Sequence, residues 1–282
     1  MTSVKRPKVH DAFVPRPFEG LASECDWVAL RELVPAATSP LRLAPEMIDK
    51  HGDRQIVLAT VLPMAWPALT KPDGRVFLGL QRNAQSGDVS RDLAVSLMLA
   101  LEAEPGGPMV APSLPGEGAR LQDVLADGAL QVTLHAGFEF WLDEGAAEPD
   151  VKASLERANA TIYPTVKLAA APAAYWCRLS DKAHVRWILP DQEDAALAAL
   201  ARLSAAAALT LGERTRFAGM FRAHGLLVPV WDLPSEPEAP EWEGPLRDFA
   251  SRYAEALASS DELTAAERRS RQGLLGRQLT LR

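Results

Sequence analysis

Short apolar runs bounded by turn residues constrain the fold of this chain more than any other feature. Residues 55–63 read QIVLATVLP and residues 75–81 read RVFLGLQ, and both runs are rich in apolar and β-branched residues. Such runs are typical of β-strands. The turn sequence KPDG stands just before the second run, so the pair predicts a β-hairpin with a long loop.

Leucine stripes at helical spacing alternate with these runs. Leu93, Leu97 and Leu101 recur at every fourth position, and Asp88 or Ser90 is the predicted N-cap of that helix. Other predicted helices begin at Asp26, at Asp150 and at Asp191 or Asp194, and a further one carries Leu246, Phe249, Tyr253 and Leu257.

The order of these elements occurs twice along the chain. In the first half, LQVTL, the turn HAG and FEFWL predict a closing hairpin. In the second half, AAYWCRL, SDK and AHVRWIL predict one hairpin, and RFAGMFR, AHG and LLVPVWDL predict another. We therefore expect an α+β fold of two pseudo-symmetric repeats of helix, strand, hairpin, helix and hairpin. Each repeat would be an antiparallel sheet with helices packed on one face.

These elements also predict the domain boundaries. The expected segments are a basic, proline-containing extended tail over 1–20, a first repeat over 21–147, a second repeat over 148–262 and a basic C-terminal segment over 263–282. In the last segment, Thr264 and Glu267 have capping-box spacing, which predicts a short helix that runs to about Arg271 before Gly273 stops it. The final string RQLTLR alternates polar and apolar residues and predicts a strand.

Composition and charge exclude several classes of protein. With 48% hydrophobic and 24% charged residues the chain has the composition of a folded protein. No apolar run approaches the roughly 20 residues of a membrane span, and no apolar segment follows the basic N-terminus, so we expect a cytoplasmic protein without a membrane partner. Cys25 and Cys177 lack metal-ligand spacing, so we expect reduced thiols, no zinc and no cofactor.

The signatures of common enzymes are missing. The chain contains no GxxxxGK[ST], GxSxG, HExxH or GxGxxG. The weaker candidates are His135 and His224, which occupy the matching HAG and AHG turns and would form an acid/base or metal pair with Glu139 or Asp232 if the turns met. The alternative is that both histidines are ordinary turn residues.

Three further groups of residues are candidates for binding. Arg222 lies two residues before His224, and Trp141 and Trp231 are strand tryptophans that either line a groove or belong to the core. The remaining candidates, at the start of the first long helix, are Asp88, Ser90 and Arg91. They either bind an anion at the helix N-terminus or simply cap the helix.

Several strings resemble those of an actinobacterial family of unknown function, among them ECDWVALRELVPAAT, LATVLPMAWPAL, GFEFW and FRAHGLLVPVWDLP. The resemblance covers nearly everything from about Phe13 to Arg282, and it implies no activity. Some members of that family carry an N-terminal Cys-rich zinc motif and are named after the preprotein translocase ATPase. The first 24 residues here contain no cysteine, so neither zinc nor a translocase role is implied.

We therefore expect a non-enzymatic module that binds a protein or small ligand in the cleft between the repeats. One alternative is a hydrolase-like enzyme that uses the two histidine turns. The other is a ribosome- or nucleic-acid-associated factor that uses the basic C-terminal segment, although a net charge of −7 disfavours nucleic acid as a partner. The sequence leaves the oligomeric state open.

Overall fold

The computed structural model describes residues 11–106, 111–142, 149–180 and 182–276. The α-helices of these residues are α1 (Glu24–Glu32), α2 (Pro45–His51), α3 (Val89–Glu102), α4 (Leu121–Val124), α5 (Pro149–Asn159), α6 (Glu193–Ala205), α7 (Glu243–Ala258) and α8 (Ala265–Leu275). The strands are β1 (Ala37–Leu41), β2 (Ile56–Val61), β3 (Ala68–Thr70), β4 (Val76–Gln81), β5 (Thr133–Leu134), β6 (Thr165–Leu168), β7 (Ala174–Leu179), β8 (Lys182–Trp187), β9 (Arg216–Ala223) and β10 (Leu226–Leu233).

The chain divides into two compact units. Unit 1 comprises the described residues of Met1–Glu24 and Ala36–Leu155, and unit 2 comprises those of Cys25–Pro35 and Glu156–Arg282. The sequence assigned residues 21–147 to the first repeat. The structure instead groups nearly all of α1 with unit 2, where Asp26 and Glu32 of this helix have partners.

Unit 1 contains a five-stranded mixed sheet in the order β3-β4-β2-β1-β5. The predicted hairpin of β2 and β4 is wrong, because these strands run parallel and pair Val57 with Phe77. The long connection between them contains β3, which pairs antiparallel with β4. The KPDG sequence forms the turn of this β3–β4 hairpin, with Gly74 at a φ of +87°.

The predicted closing hairpin of the first half is also wrong. Only Thr133–Leu134 pairs with β1, and residues Glu139–Trp141 form a 3-10 turn instead of a second strand. The indole Nε1 of Trp141 donates a hydrogen bond to the Val61 carbonyl at 2.9 Å, and the ring stacks on Phe138 with 4.3 Å between centroids. These side-chain contacts hold the segment in a compact turn.

Helix α3 covers one face of the unit 1 sheet. Asp88 is its N-cap, as predicted, and its carboxylate accepts a hydrogen bond from the backbone of Arg91. The predicted leucine stripe is buried, with Leu93 and Leu97 at 0% exposure. The hydroxyl of Thr70 on β3 donates to the Ala100 carbonyl of α3 at 2.8 Å, which identifies the sheet face that this helix covers.

Unit 2 contains a five-stranded antiparallel sheet in the order β6-β7-β8-β10-β9. Both hairpins predicted for the second half, β7–β8 and β9–β10, are confirmed. One sheet face carries Trp176, Val185 and Trp231, which pack in one apolar core with residues of α6, α7 and α8. The burial of Leu246, Phe249 and Tyr253 confirms the stripe predicted for α7.

Helix α1 binds the other face of this sheet. Lys167 and Tyr175 pair across β6 and β7 and alternate with Trp176, so they point away from the core. The carboxylate of Asp26 on α1 lies 2.7 Å from the Lys167 Nζ and accepts a hydrogen bond from the Tyr175 hydroxyl at 3.2 Å. At the other end of α1, Glu32 lies 2.8 Å from Nε2 of His224.

The predicted α+β class is confirmed, but the internal duplication is not. Among the described residues, the order of helix, strand, hairpin, helix and hairpin is present only over 149–233. The two sheets differ in strand order and in the parallel pairing of β2 with β4. In neither unit does a described helix combine the length and apolarity that a membrane crossing requires.

The basic C-terminal segment forms helix α8, which packs on α6. The predicted N-cap, Thr264, and its capping box with Glu267 are confirmed. The predicted end at Arg271 is wrong, since α8 continues through Gly273 to Leu275. Leu274 is 2% exposed in the unit 2 core, and its burial offsets the cost of glycine within a helix, about 1 kcal/mol. The predicted strand over 277–282 lies outside the described residues.

Candidate functional site

The candidate site is on the face of the unit 1 sheet opposite α3. Because Val57 pairs with Phe77 and Thr38 pairs with Ala59, these residues of β1, β2 and β4 share one face. Thr70 pairs with Val76, the neighbour of Phe77, and bonds to α3 on the other side. Phe77 and the residues beside it on the same sheet face therefore point away from α3, so that another segment can pack on them.

The segment around the 3-10 turn Glu139–Trp141 forms part of that second layer. Phe140 and Trp141 pack on a small apolar cluster of Ala59, Leu62 and Phe77. The ammonium group of Lys71 donates a hydrogen bond to the Trp141 carbonyl at 2.6 Å, which ties the segment to the β3–β4 turn. The segment therefore forms a wall that rises from the sheet.

A concave pocket of about 800 Å³ lies beside this wall. Its lining combines an apolar floor and wall with a few polar side chains, and consists of Thr38, Gln55, Val57, Pro72, Asp73, Arg75, Phe77, Phe140 and Leu142. All of these residues belong to unit 1. Gln55, Pro72 and Asp73 are exposed at its rim, whereas Phe77 at its floor is buried.

Arg75 and Asp73 are the charged residues of this lining. Arg75 donates to Asp73 through its backbone N at 2.9 Å and through its side-chain Nε at 2.6 Å. These hydrogen bonds, that of the backbone above all, lower the pKa of the exposed Asp73 carboxyl. The guanidinium carbon of Arg75 lies 5.9 Å from the centroid of the Phe77 ring, within cation–π range.

His135 stands behind the pocket. Its Nε2 is 2.8 Å from the hydroxyl oxygen of Thr38, and its ring centroid is 4.9 Å from that of Phe140. Burial lowers the pKa of His135, and the charge of exposed Glu139 opposes that shift. His135 is therefore neutral at pH 7 and supports the lining residues Thr38 and Phe140. The sequence candidates His135, Glu139 and Trp141 thus all lie at or near this wall.

The candidates of the second hairpin turn have partners within unit 2. His224, at a φ of +47°, binds Glu32 of α1. Burial raises the pKa of Glu32, but the hydrogen bond and charge of His224 outweigh it, and the net direction is downward. Arg222 forms a two-pronged ion pair with Glu193 at 2.5 and 2.8 Å. These contacts connect the turn to α1 and α6.

Trp231 is a core residue of unit 2. It is fully buried, its indole Nε1 donates to the Leu209 carbonyl at 2.8 Å, and its ring meets Phe249 edge to face at 4.8 Å. Trp231 therefore lines no accessible groove in its unit, whereas Trp141 is only partly buried beside the pocket.

The candidates at the start of α3 form a polar network within unit 1. Asp88 caps the helix and pairs with Arg120 at 3.0 Å. The Ser90 hydroxyl donates to the Gln122 side chain at 2.6 Å and accepts from the backbone of Leu121. Arg91 keeps Nε and Nη2 buried without a hydrogen-bond acceptor in the part of the chain that the structure describes. Apart from Arg91, the contacts of these residues are those of a capped and cross-braced helix.

A row of chemically active side chains across the unit 2 sheet was missed by sequence reasoning. Cys177, His184 and Asp232 lie opposite one another on β7, β8 and β10, and Nδ1 of His184 is 3.2 Å from the Asp232 carboxylate. Thiol, imidazole and carboxylate in this order are the components of a nucleophilic site. Burial, however, raises the pKa of the Cys177 thiol, which is 2% exposed, so the thiol is protonated and inaccessible. Strand register alone would have revealed this row.

Within residues 11–106, 111–142, 149–180 and 182–276, no cluster of three or more His, Cys, Asp or Glu side chains has the arrangement of a metal site. The basic C-terminal segment likewise makes intramolecular contacts, since Arg271 of α8 pairs with Asp194 of α6 at 2.5 Å.

The fold and the pocket define an α+β protein with a solvent-facing ligand-sized cavity on one sheet. A family of unknown function (DUF5926) matches residues 17–282, and the chain belongs to this family. No curated protein and no solved structure matches the chain.

Proposed function

We propose that this chain is a non-enzymatic binding module and that its ligand site is the pocket on the unit 1 sheet. The observation that carries the proposal is the cavity of about 800 Å³ beside the aromatic wall. Small-molecule sites typically measure roughly 300–1,000 Å³ and have apolar linings with a few well-placed polar groups. The sequence suggested a cleft between repeats as the site, whereas the support here lies within one unit.

The composition of the lining favours binding over catalysis. The charged side chains Asp73 and Arg75 are paired with each other, and neither has a histidine or cysteine as a partner within the described lining. His135 contacts the lining through Thr38 and Phe140. General acid–base chemistry requires a titrating group within hydrogen-bond reach of the substrate, and the described lining supplies no such group near neutral pH.

The test is a screen of small organic fragments by ligand-observed NMR against the wild-type chain and a variant with a filled pocket. Val57→Trp places a large ring in the cavity at a partly exposed strand position. The matched control is Val166→Trp, at a valine on β6 of unit 2 that is 40% exposed.

We expect fragments that bind wild type and V166W but not V57W, with circular dichroism spectra unchanged among the three proteins. Fragments that bind V57W as well as they bind the wild type would place the ligand site elsewhere. A wild-type protein that binds no fragment would contradict the proposal altogether.

A further inference from the structure

We infer that the pocket takes a small organic carboxylate with an aromatic or branched apolar body, and that Arg75 binds the carboxylate group. This inference rests on the proposed function and specifies the chemical class of the ligand. It depends on the geometry of Arg75, on the surface beneath its guanidinium and on the apolar lining beside it.

Asp73 holds Arg75 by one edge only. The Asp73 carboxylate accepts hydrogen bonds from the backbone N and from the side-chain Nε of Arg75, so the backbone and the Nε of this arginine are both fixed. In the described part of the chain, the two Nη groups of Arg75 donate no hydrogen bond to protein. A guanidinium carries five N–H donors, and its Nη edge matches the two oxygens of a carboxylate. The side chain is 38% exposed, so this edge is accessible.

Arg75 stands over the floor of the pocket. Its guanidinium lies 5.9 Å from the centroid of the Phe77 ring, and the ammonium group of Lys71 lies 5.5 Å from the same ring. The positive charge of Arg75 therefore lies at the edge of the pocket, near the buried ring of its floor. Asp73 offsets part of that charge, but its oxygens are directed to the backbone and Nε of Arg75. An anionic group is therefore favoured at the free Nη edge over a cationic one.

The rest of the lining accommodates an apolar body. Val57 and Phe77 provide the floor, and Phe140 and Leu142 provide the wall. Rings and branched alkyl groups bury apolar area against such surfaces, which supplies most of the affinity of small ligands. Arg75 then determines which end of the ligand points toward the β3–β4 turn. It also favours a carboxylate over an uncharged ligand with the same apolar body.

Three probes with the same phenylpropyl body test this inference: 3-phenylpropionate, 3-phenylpropan-1-ol and 3-phenylpropylamine. Their affinities are measured by NMR titration at low ionic strength, for wild type, Arg75→Gln and a control, Arg216→Gln. Arg216 of β9 is also paired with an aspartate, Asp232, and lies in unit 2.

We expect the carboxylate to bind wild type and R216Q roughly fivefold more tightly than the alcohol does, since a charge-assisted hydrogen bond is worth more than a neutral one. R75Q should lose this advantage and keep its affinity for the alcohol. High salt should reduce the advantage in the wild type.

Equal binding of the three probes, or tighter binding of the amine, would overturn the inference and leave the proposed function intact, provided that V57W abolishes the binding. An undiminished preference for the carboxylate in R75Q would also overturn it. If R75Q does not fold, the wild-type preference is followed from pH 7 to pH 4. It should disappear as the probe is protonated, at a pKa of about 4 to 5 for a carboxylic acid, and a constant ratio would refute the inference.

Discussion

The ammonium group of Lys71 donates a hydrogen bond to the backbone carbonyl of Trp141, at 2.6 Å, across 70 residues of sequence. This bond joins the turn that carries Asp73 and Arg75 to the wall that carries Phe140 and Leu142. One buried lysine, which is 4% exposed, therefore links the two sides of the pocket.

Replacement of this lysine should loosen the pocket. Lys71→Met preserves most of the side-chain volume but removes the donor, so we expect a loss of about 1–3 kcal/mol in the free energy of unfolding. Fragment affinity in the unit 1 pocket should fall in parallel. Urea unfolding and NMR titration measure the two effects, and the control is Lys50→Met on an exposed position of α2. Equal stability of the two variants would contradict the expectation.

A second prediction concerns the attachment of α1 to unit 2. Asp26→Ala removes the partner of Lys167 and the acceptor of the buried Tyr175 hydroxyl. We expect a destabilisation of about 1–3 kcal/mol and faster hydrogen exchange at the amides of residues 25–35. Asp26→Asn retains an acceptor and should have a smaller effect, and Asp49→Ala on exposed α2 is the control. If exchange in α1 is the same in D26A and wild type, Asp26 does not hold the helix.

A third prediction concerns the start of α8. The Thr264 hydroxyl accepts a hydrogen bond from the backbone of Glu267, and the Glu267 carboxylate accepts one from the backbone of Thr264. Thr264→Ala should cost about 1 kcal/mol in unfolding free energy, because an N-cap side chain is lost. Thr264→Ser keeps the hydroxyl and should stay close to wild type. A T264A protein as stable as T264S in chemical denaturation would show that the cap contributes nothing.

A fourth prediction concerns pH. Burial lowers the pKa of His184, and the charge of Arg186 lowers it further; Lys182 acts in the same direction and Asp232 opposes them. Cys177 faces the histidine from β7. The folded pKa is thus below the unfolded value of about 6.5, so protons bind the unfolded chain more readily.

Stability should therefore fall as pH drops from above 6.5 toward the folded pKa of His184. Thermal melts between pH 8 and pH 5 test this, and His184→Gln should flatten the dependence. His135→Gln should flatten it further, because burial lowers the pKa of His135 as well. A melting temperature that rises as pH falls through this range would reverse the assigned direction for both residues.

Local sequence predicted unit 2 better than unit 1, for a physical reason. The turns SDK and AHG are short, and a short turn between two β-runs leaves antiparallel pairing as the only geometry. The connection over residues 62–75 in unit 1 is long enough to pass the position of β4 and to form β3 at the edge of the sheet. Apolar runs such as those of β2 and β4 look alike whether they pair parallel or antiparallel, so the sequence could not separate the two arrangements.

Only part of the pocket could be predicted from the sequence. His135 and Glu139 were sequence candidates for one site and Trp141 for another, and the structure places all three at or near the wall of the pocket. Their assignment to a hairpin depended on β-propensity, which tertiary contacts of Trp141 override. No sequence motif identified the other lining residues Arg75, Asp73 and Gln55. Their proximity to Phe140 follows from the sheet order and not from spacing along the chain.

The position of α1 in unit 2 has a consequence for how the chain folds during synthesis. The helix is translated well before its partners: Asp26 binds Lys167 at a separation of 141 residues, and Glu32 binds His224 at a separation of 192. The contact of Glu32 with His224 therefore cannot form until the ribosome has synthesised the β9–β10 hairpin. Trp27, Leu30 and Leu33, which the finished protein buries almost completely, belong to unit 2 and are translated before its sheet. Until that sheet forms, apolar side chains of this kind are a surface that chaperones recognise.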